Sequence, residues 1–328
     1  MPLDPRAKRF LDMLAAANPP SALSLTVPER RRALEHLLSF SGVQAPVGTV
    51  RNFSCPADGH TIALRSYIPE DAPSGRLRPA LMYFHGGGLV AGGLDSHDAI
   101  CRALCHAAAL QLISVDYRLG PEHPFPAAIE DGLAACRWVA SHANELNIDR
   151  NALGICGDSA GATLAAVIAQ ALTQDADVRL AFQFLLCPIT DFAGETESRR
   201  VLSEGYLVDS ATLQHDLKYY LAGGADAADP RVSPLRASDL HALPPAIVHT
   251  AEFDPLRDEG CAYADRLAAA GVRTTYRCHP DMIHLFYGMG GLLPYASKAY
   301  TLMGEDIRAL LDASDLTRGS LNVGSRTG

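Results

Sequence analysis

From residue 80 onward, short runs in which nearly every position is apolar alternate with longer stretches in which apolar residues return every three or four positions. The runs are "ALMYF" (80–84), "LQLISVDY" (110–117), "ALGIC" (152–156), "LAFQFLLC" (180–187), "AIVHTA" (246–251) and "VRTTYRC" (272–278). Each predicts a strand covered on both faces. The stretches between them, including "SHDAICRALCHAAA", "AAIEDGLAACRWVASHA", "GATLAAVIAQALTQ" and "RDEGCAYADRLAAAG", have the period of amphipathic or buried helices. Such alternation means a mostly parallel central sheet with helices on both faces, an α/β fold.

The pattern differs at three places. Two amphipathic stretches at 6–16 and 28–40 open the chain as helices, the second started by Thr26 and Pro28. From residue 47 the period becomes two: "VGTVRNFSC" and "TIALRSYIP" flank the turn segment "PADGH" and predict an antiparallel hairpin. The connection over 188–245 is too long for one crossover, and "DSATLQHDLKYYLAG" within it reads as an extra helix. The expected organisation is therefore a helical cap segment at 1–45, an α/β domain formed by 46–187 and 246–315, an insertion at 188–245 that adds to the cap, and a frayed tail at 316–328.

Composition narrows the partners. A formal charge of -9 argues against a phosphate backbone as the main partner, so nucleic acid is not expected. The opening "MPLDPRAKRFLDMLAAANPP" lacks the apolar run of a secretory signal, and no later stretch is long and apolar enough to cross a membrane. A cytoplasmic protein without stable membrane insertion is expected. The eight cysteines include no CxxC, and Cys101 and Cys105, with His97 and His106 nearby, read as core packing before metal binding. No metal and no organic cofactor is expected.

Candidate chemistry lies at the ends of the predicted strands. "CGDSAGAT" (156–163) places Ser159 between strand "ALGIC" and a helix, where a tight turn with small neighbours lifts the side chain over the sheet. Amides at the start of that helix can then face an anion. "HGGG" (85–88) follows the 80–84 strand and offers further unobstructed N–H groups. Gly86, Gly87, Gly88 and Ala160 are the candidate donors, with Gly87, Gly88 and Ala160 favoured. A serine needs a base, and the base an orienting acid. His284 after the last strand and Asp254 after the 246–251 strand supply them in the chain order Ser, Asp, His. Glu252 is the competing acid, Asp258 and Glu259 are assigned to a helix start, His85 to holding the glycine loop, and His249 to the core.

These motifs, with "DYRLGPEHPFPAAIED" (116–131), "DPLRDEG" (254–260) and "MIH" (282–284), resemble the hormone-sensitive-lipase-like family of α/β hydrolases, in particular its bacterial esterases with Asp before the nucleophile. The similarity spans about 45 to 310. It implies an α/β-hydrolase fold with a helical cap and a carboxylesterase with Ser159 as nucleophile, His284 as base and acid, and Asp254 as its partner. It also implies structural roles for Glu130 and Asp131, and a homodimer. Leu89, Gly120 and Leu285 depart from the usual pattern. The expected reaction is hydrolysis of a small-molecule ester with a short acyl chain through an acyl-enzyme. Leu89 and Leu285 are candidate pocket residues, the alternative for Leu285 being that it packs the loop from the core. An amidase, arylformamidase or lactonase would use the same machinery. A non-catalytic small-molecule receptor on this fold would not need all three triad positions, which this chain keeps.

Overall fold

The computed structural model describes residues 2–42, 44–71 and 75–323, with side chains up to 313. Helices α1 (Pro5–Ala17) and α2 (Val27–Leu38) come first. Asp4 and Thr26 cap them, and Thr26 forms a reciprocal capping box with Glu29. The hairpin β1 (Thr49–Ala57) and β2 (His60–Ile68) follows, turning at Gly59, whose φ of 74° a side chain would resist. Then come β3 (Arg78–Phe84), α3 (Asp98–Ala108), β4 (Gln111–Asp116), α4 (Ala127–Ser141), β5 (Ile148–Asp158), α5 (Ala160–Leu172) and β6 (Phe182–Leu186). The crossover holds α6 (Glu197–Val201) and α7 (Ser210–Tyr220). β7 (Ala246–Phe253), α8 (Arg257–Ala269), β8 (Thr274–Ile283) and α9 (Tyr295–Val323) complete the chain.

The strands form one eight-stranded sheet in the order β1-β2-β4-β3-β5-β6-β7-β8, with β2 antiparallel to both neighbours and the other pairs parallel. From β3 the chain moves outward to β4 and then returns to β5 on the other side of β3. This reversal opens a crevice beyond the strand ends, the usual ligand position in open α/β sheets. β5 runs straight into α5, which is buried along almost its whole length and is built largely from Ala and Gly. Large side chains there would hold it off the sheet.

The N-terminal helices and the crossover meet over the C-terminal strand ends. Arg30 of α2 forms a bidentate ion pair with Asp216 of α7, at 3.1 Å and 2.7 Å. His215 reaches the Leu25 carbonyl at 3.1 Å. α6 is tied to α8 by a buried ion pair between Arg199 and Glu259, so Glu259, expected only to favour a helix N-terminus, also anchors the crossover.

Two expectations shift. β8 extends to Ile283, which puts His279 inside the strand instead of at its end. The expected frayed tail from 316 is helical through Val323, while 324–328 lie outside the described residues. α9 carries Gly304 within its length. That glycine allows close packing on α3: a Cβ there would lie 2.1 Å from the Ala107 carbonyl oxygen.

β7, β8 and α9 share a chain of polar side chains. Tyr295 lies 3.1 Å from His279 Nδ1, His279 Nε2 lies 3.1 Å from His249 Nδ1, and His249 Nε2 lies 3.0 Å from Asp306. With both rings neutral every contact has one donor and one acceptor, which fixes the tautomers. His249 is thus a satisfied core residue. Burial lowers the pKa of His249, and it lowers those of His279, His85 and His97 to about 3. These rings stay neutral in the folded protein while the unfolded chain takes up protons below about pH 6.5. Each contributes stability that is lost as pH falls from there, at roughly 1.4 kcal/mol per pH unit. Glu259, raised to about 7 by burial, acts in the opposite sense, as do Asp158 and Asp116, also raised by burial, and His284, raised by its Asp254 partner. His85, His97 and His279, each held at about 3, stay neutral through the whole interval and carry the balance, so Tm measured by calorimetry is expected to fall between pH 7 and pH 5. A Tm that rises over this range would contradict the burial of neutral rings.

Candidate active site

Ser159 is held at φ 52° and ψ −125°, a strained conformation at the turn from β5 into α5. The turn is possible because Gly157 and Gly161 have no side chains: a Cβ on either would lie about 2 Å from backbone atoms, 2.2 Å from Gly161 O and 2.1 Å from Phe84 O respectively. The Ser159 amide donates to Leu186 O at 2.8 Å, which ties the turn to the neighbouring strand. Its hydroxyl remains partly accessible and lies 3.0 Å from His284 Nε2.

His284 follows β8, and Asp254 follows β7. The His284 Nδ1–H donates to Asp254 Oδ2 at 2.7 Å, while Oδ1 accepts from the Leu256 amide at 2.9 Å. Both side chains are buried. Burial alone would lower the imidazole pKa, but the Asp254 charge and hydrogen bond outweigh it and raise the pKa above the ordinary value. Glu252 is occupied elsewhere: its Oε2 accepts from the Asp281 amide at 2.8 Å. The structure thus brings Ser159, His284 and Asp254 into one hydrogen-bonded line and leaves the competing carboxylate outside it.

In the glycine loop each residue lacks a side chain for a different reason. A Cβ on Gly86 would lie 2.5 Å from Asp158 Oδ2. On Gly87, at φ 114°, it would lie 2.3 Å from Ala91 O and 2.8 Å from Leu34 of α2. On Gly88, at φ 69°, it would lie 1.8 Å from Asp216 Oδ2. The Gly86 amide already donates to Asp158 Oδ1 at 2.8 Å, which removes it from the candidate donors. Among the described residues, neither the Gly87 nor the Gly88 amide donates a hydrogen bond. Beneath the loop, Asp158 also accepts from Tyr83 and Tyr287. His85 stacks on Tyr117 with ring centroids 4.3 Å apart and bonds Gly86 O through Nδ1 at 2.9 Å. Sequence reasoning missed Tyr83, Tyr287, Arg30 and Asp216, which lie in unrelated segments. The one available signal was the acid directly before the serine.

Three further placements correct or sharpen the expectations. Leu285 points into the core, because a Cβ on Gly288 would meet Leu38, Ile100 and Leu285 Cδ1 together, the last at 3.5 Å. Leu89 is also buried, and its carbonyl accepts from the Gly120 amide at 2.9 Å. Both side chains belong to the buried apolar clusters that flank the sheet. Asp131, by contrast, accepts from Arg118 and His60 in a buried structural cluster.

The cysteines do not all lie away from the site. Cys187, at the end of β6, brings its sulfur within 4.8 Å of donor atoms of Asp254 and His284 because β6 and β7 end side by side. Burial, with the Asp254 charge, pushes that thiol pKa well up, and burial raises Cys55 to about 11 and Cys105 and Cys136 to about 12. Two surface cavities, of about 740 and 660 Å³, open beside the N-terminal ends of β6 and β7 and of β3 and β4. They lie at the far end of the sheet from Ser159.

A family profile describing the α/β hydrolase fold matches residues 81–288, a span that contains the glycine loop, Ser159, Asp254 and His284. The chain belongs to the hormone-sensitive-lipase-like family of α/β hydrolases. It is 38% identical to Esterase LipI of Mycobacterium tuberculosis over 80% of this chain and 78% of that protein. It is 34% identical to an ethyl acetate hydrolase of Pseudomonas putida, over 94% of this chain and 99% of the relative. Among solved structures, an ester hydrolase from the metagenome of Lake Arreo superposes with a TM-score of 0.90 at 38% identity, covering 94% of this hydrolase and 99% of that chain.

In this α/β hydrolase the raised His284 pKa places loss of the neutral imidazole above the ordinary value of 6.5. The acid limb of kcat/KM against pH for p-nitrophenyl acetate is therefore expected above pH 6.5. A limb well below 6 would show that Asp254 does not govern the ring. Burial raises the thiol pKa values, so iodoacetamide at pH 7.5 is expected to leave activity intact. Rapid single-site inactivation would contradict it.

Proposed function

We propose that this protein is a serine carboxylesterase acting on short-chain acyl esters. The observation that carries the reading is the line from Ser159 Oγ to His284 Nε2 at 3.0 Å and from Nδ1 to Asp254 at 2.7 Å. Nε2 takes the serine proton as Oγ bonds to the ester carbonyl carbon. The carbonyl oxygen becomes an anion directed at the Gly87, Gly88 and Ala160 amides. As the carbon–oxygen bond to the alcohol breaks, the proton on Nε2 passes to the leaving oxygen, which leaves an acyl-enzyme. Water then enters, gives a proton to Nε2 and attacks the acyl carbon; the serine recovers that proton as the acid leaves.

Nε2 can receive the proton because Nδ1–H is held by Asp254, which leaves Nε2 as the acceptor nitrogen. The charge that forms on the ring is stabilised by a carboxylate that is itself fixed by the Leu256 amide. Several relatives are named as esterases or carboxylesterases, and one is named for hydrolysis of ethyl acetate. That name supports small acyl groups. The N-terminal helices and the crossover over 188–245 are read as a cap that shapes the acyl and alcohol subsites, a reading supported by the meeting of α2 and α7 above the glycine loop.

Ser159→Ala is expected to lower kcat by at least about a thousandfold without changing Tm appreciably. A phosphonate should label the wild type at one serine and leave this variant unlabelled. Across p-nitrophenyl esters, kcat/KM is expected to peak at about two to six acyl carbons and fall steeply by about ten, each buried methylene helping only until the pocket ends. Leu285→Gly should leave that profile in place, because its side chain faces the core. Faster turnover of amides or lactones than of esters in the same screen would overturn the assignment.

A further inference from the structure

α7 delivers a carboxylate to the glycine loop. A Cβ on Gly88 would lie 1.8 Å from Asp216 Oδ2 and 2.3 Å from its Cγ, so the acid rests directly on that residue. Gly87 and Gly88 are the amides assigned above to the anion that forms on the substrate oxygen. A second negative charge resting on the same residue, with a side chain only 7% exposed, opposes that anion. An unmasked Asp216 would therefore slow the reaction it adjoins.

The carboxylate is not bare. Arg30 of α2 holds it through Nε at 3.1 Å and Nη2 at 2.7 Å, and His215 Nδ1 lies 2.9 Å from Oδ1. The Arg30 and Asp216 side chains are only 13% and 7% exposed, so solvent screens the pair weakly. The shape of the loop has other supports. Arg31 donates to Val90 O at 2.9 Å, the Gly86 amide is held by Asp158, and Gly120 N donates to Leu89 O. Arg30 makes none of these bonds. Its contribution at this point is charge.

We infer that Arg30 is a positioning residue of an electrostatic kind: it neutralises Asp216, so that the N-terminal helix keeps the oxyanion loop free of an opposing charge without touching substrate. The inference rests on the reading of Gly87 and Gly88 as oxyanion donors. It assigns the α2–α7 ion pair a role in turnover besides that of joining two parts of the cap. The partners also explain each other: Asp216 can approach the loop because residue 88 is glycine, and its charge is tolerable there because Arg30 covers it.

The test uses the full chain with p-nitrophenyl acetate at pH 8.5, comparing Arg30→Gln, Arg30→Lys, Asp216→Asn and the double variant Arg30→Gln/Asp216→Asn, with Tm for each. Arg30→Gln is expected to lower kcat by about tenfold to a hundredfold with KM within about threefold, because only the anionic transition state meets the exposed charge. Arg30→Lys, Asp216→Asn and the double variant are expected to stay within about fivefold of wild-type kcat even where Tm falls. Recovery of kcat in the double variant distinguishes charge from clamping. The inference is overturned if Arg30→Gln keeps wild-type kcat, if the double variant is no faster than Arg30→Gln, or if Asp216→Asn is as slow as Arg30→Gln. Should Arg30→Gln fail to fold, the double variant decides: folded and active supports the inference, slow or unfolded overturns it. Phosphonate labelling of the wild type checks the underlying reading separately. A wild type that is neither labelled nor active sinks the serine mechanism, whereas a labelled, active wild type beside a fully active Arg30→Gln sinks only the masking of Asp216.

Discussion

A carboxylate inside a protein must be met by donors, and Asp158 is the buried acid around which this site is organised. Tyr83 reaches it from β3, the Gly86 amide from the loop after β3, and Tyr287 from the turn beyond His284. Those bonds join the end of β5 to the two segments that must stand at fixed positions around Ser159. Loss of any one of them would leave part of a buried acid unpaired, at a cost of roughly 1–3 kcal/mol or more. The loop, the serine turn and the histidine segment therefore share one rigid support. Asp254 and the Leu256 amide repeat the arrangement on a smaller scale behind the imidazole.

Much of this was legible in the sequence because it depends on local rules. Strands buried on both faces read as apolar runs, and five of the six runs from residue 80 correspond to such strands, β3 through β7. The sixth, at 272–278, is the edge strand β8, which is mostly exposed or half-buried before His279 and so is not covered on both faces as expected. Ser159, Asp254 and His284 stood out because tight turns and strand ends concentrate small residues and reactive groups within a few positions. What escaped were relations between distant segments. Nothing near Tyr83 announces that its hydroxyl meets Asp158, 75 positions away, or near Arg30 that its partner lies 186 positions on. Leu285 shows the same limit from the other side. Its neighbour in sequence is the reactive histidine, but its φ of 61° and the space beside Gly288 turn it toward α2 and α3.

The three loop glycines show how one local motif records several long-range contacts. A run of glycine reads as flexibility in a sequence. Here it is filled from three directions: by Asp158 from below, by Leu34 and the Ala91 carbonyl alongside, and by Asp216 from the cap. Their common feature is close approach, with positive φ at two of them. The loop is consequently as confined as the core although it has no side chains of its own.

The position of β8 has a consequence for how the protein comes into being. β8 is an edge strand, the last in sequence among the described strands, and it delivers His284. The main chain just before that histidine is also held by the other end of the polypeptide, through the Asp4 amide bonded to Asp281 O at 3.0 Å. A nascent chain can pair β1 to β7 and form the serine turn while still lacking its base. The strands β1 to β7 can therefore hold the nucleophile in place, but the base arrives only with an edge strand whose end is fastened by a segment from the opposite side of the sequence.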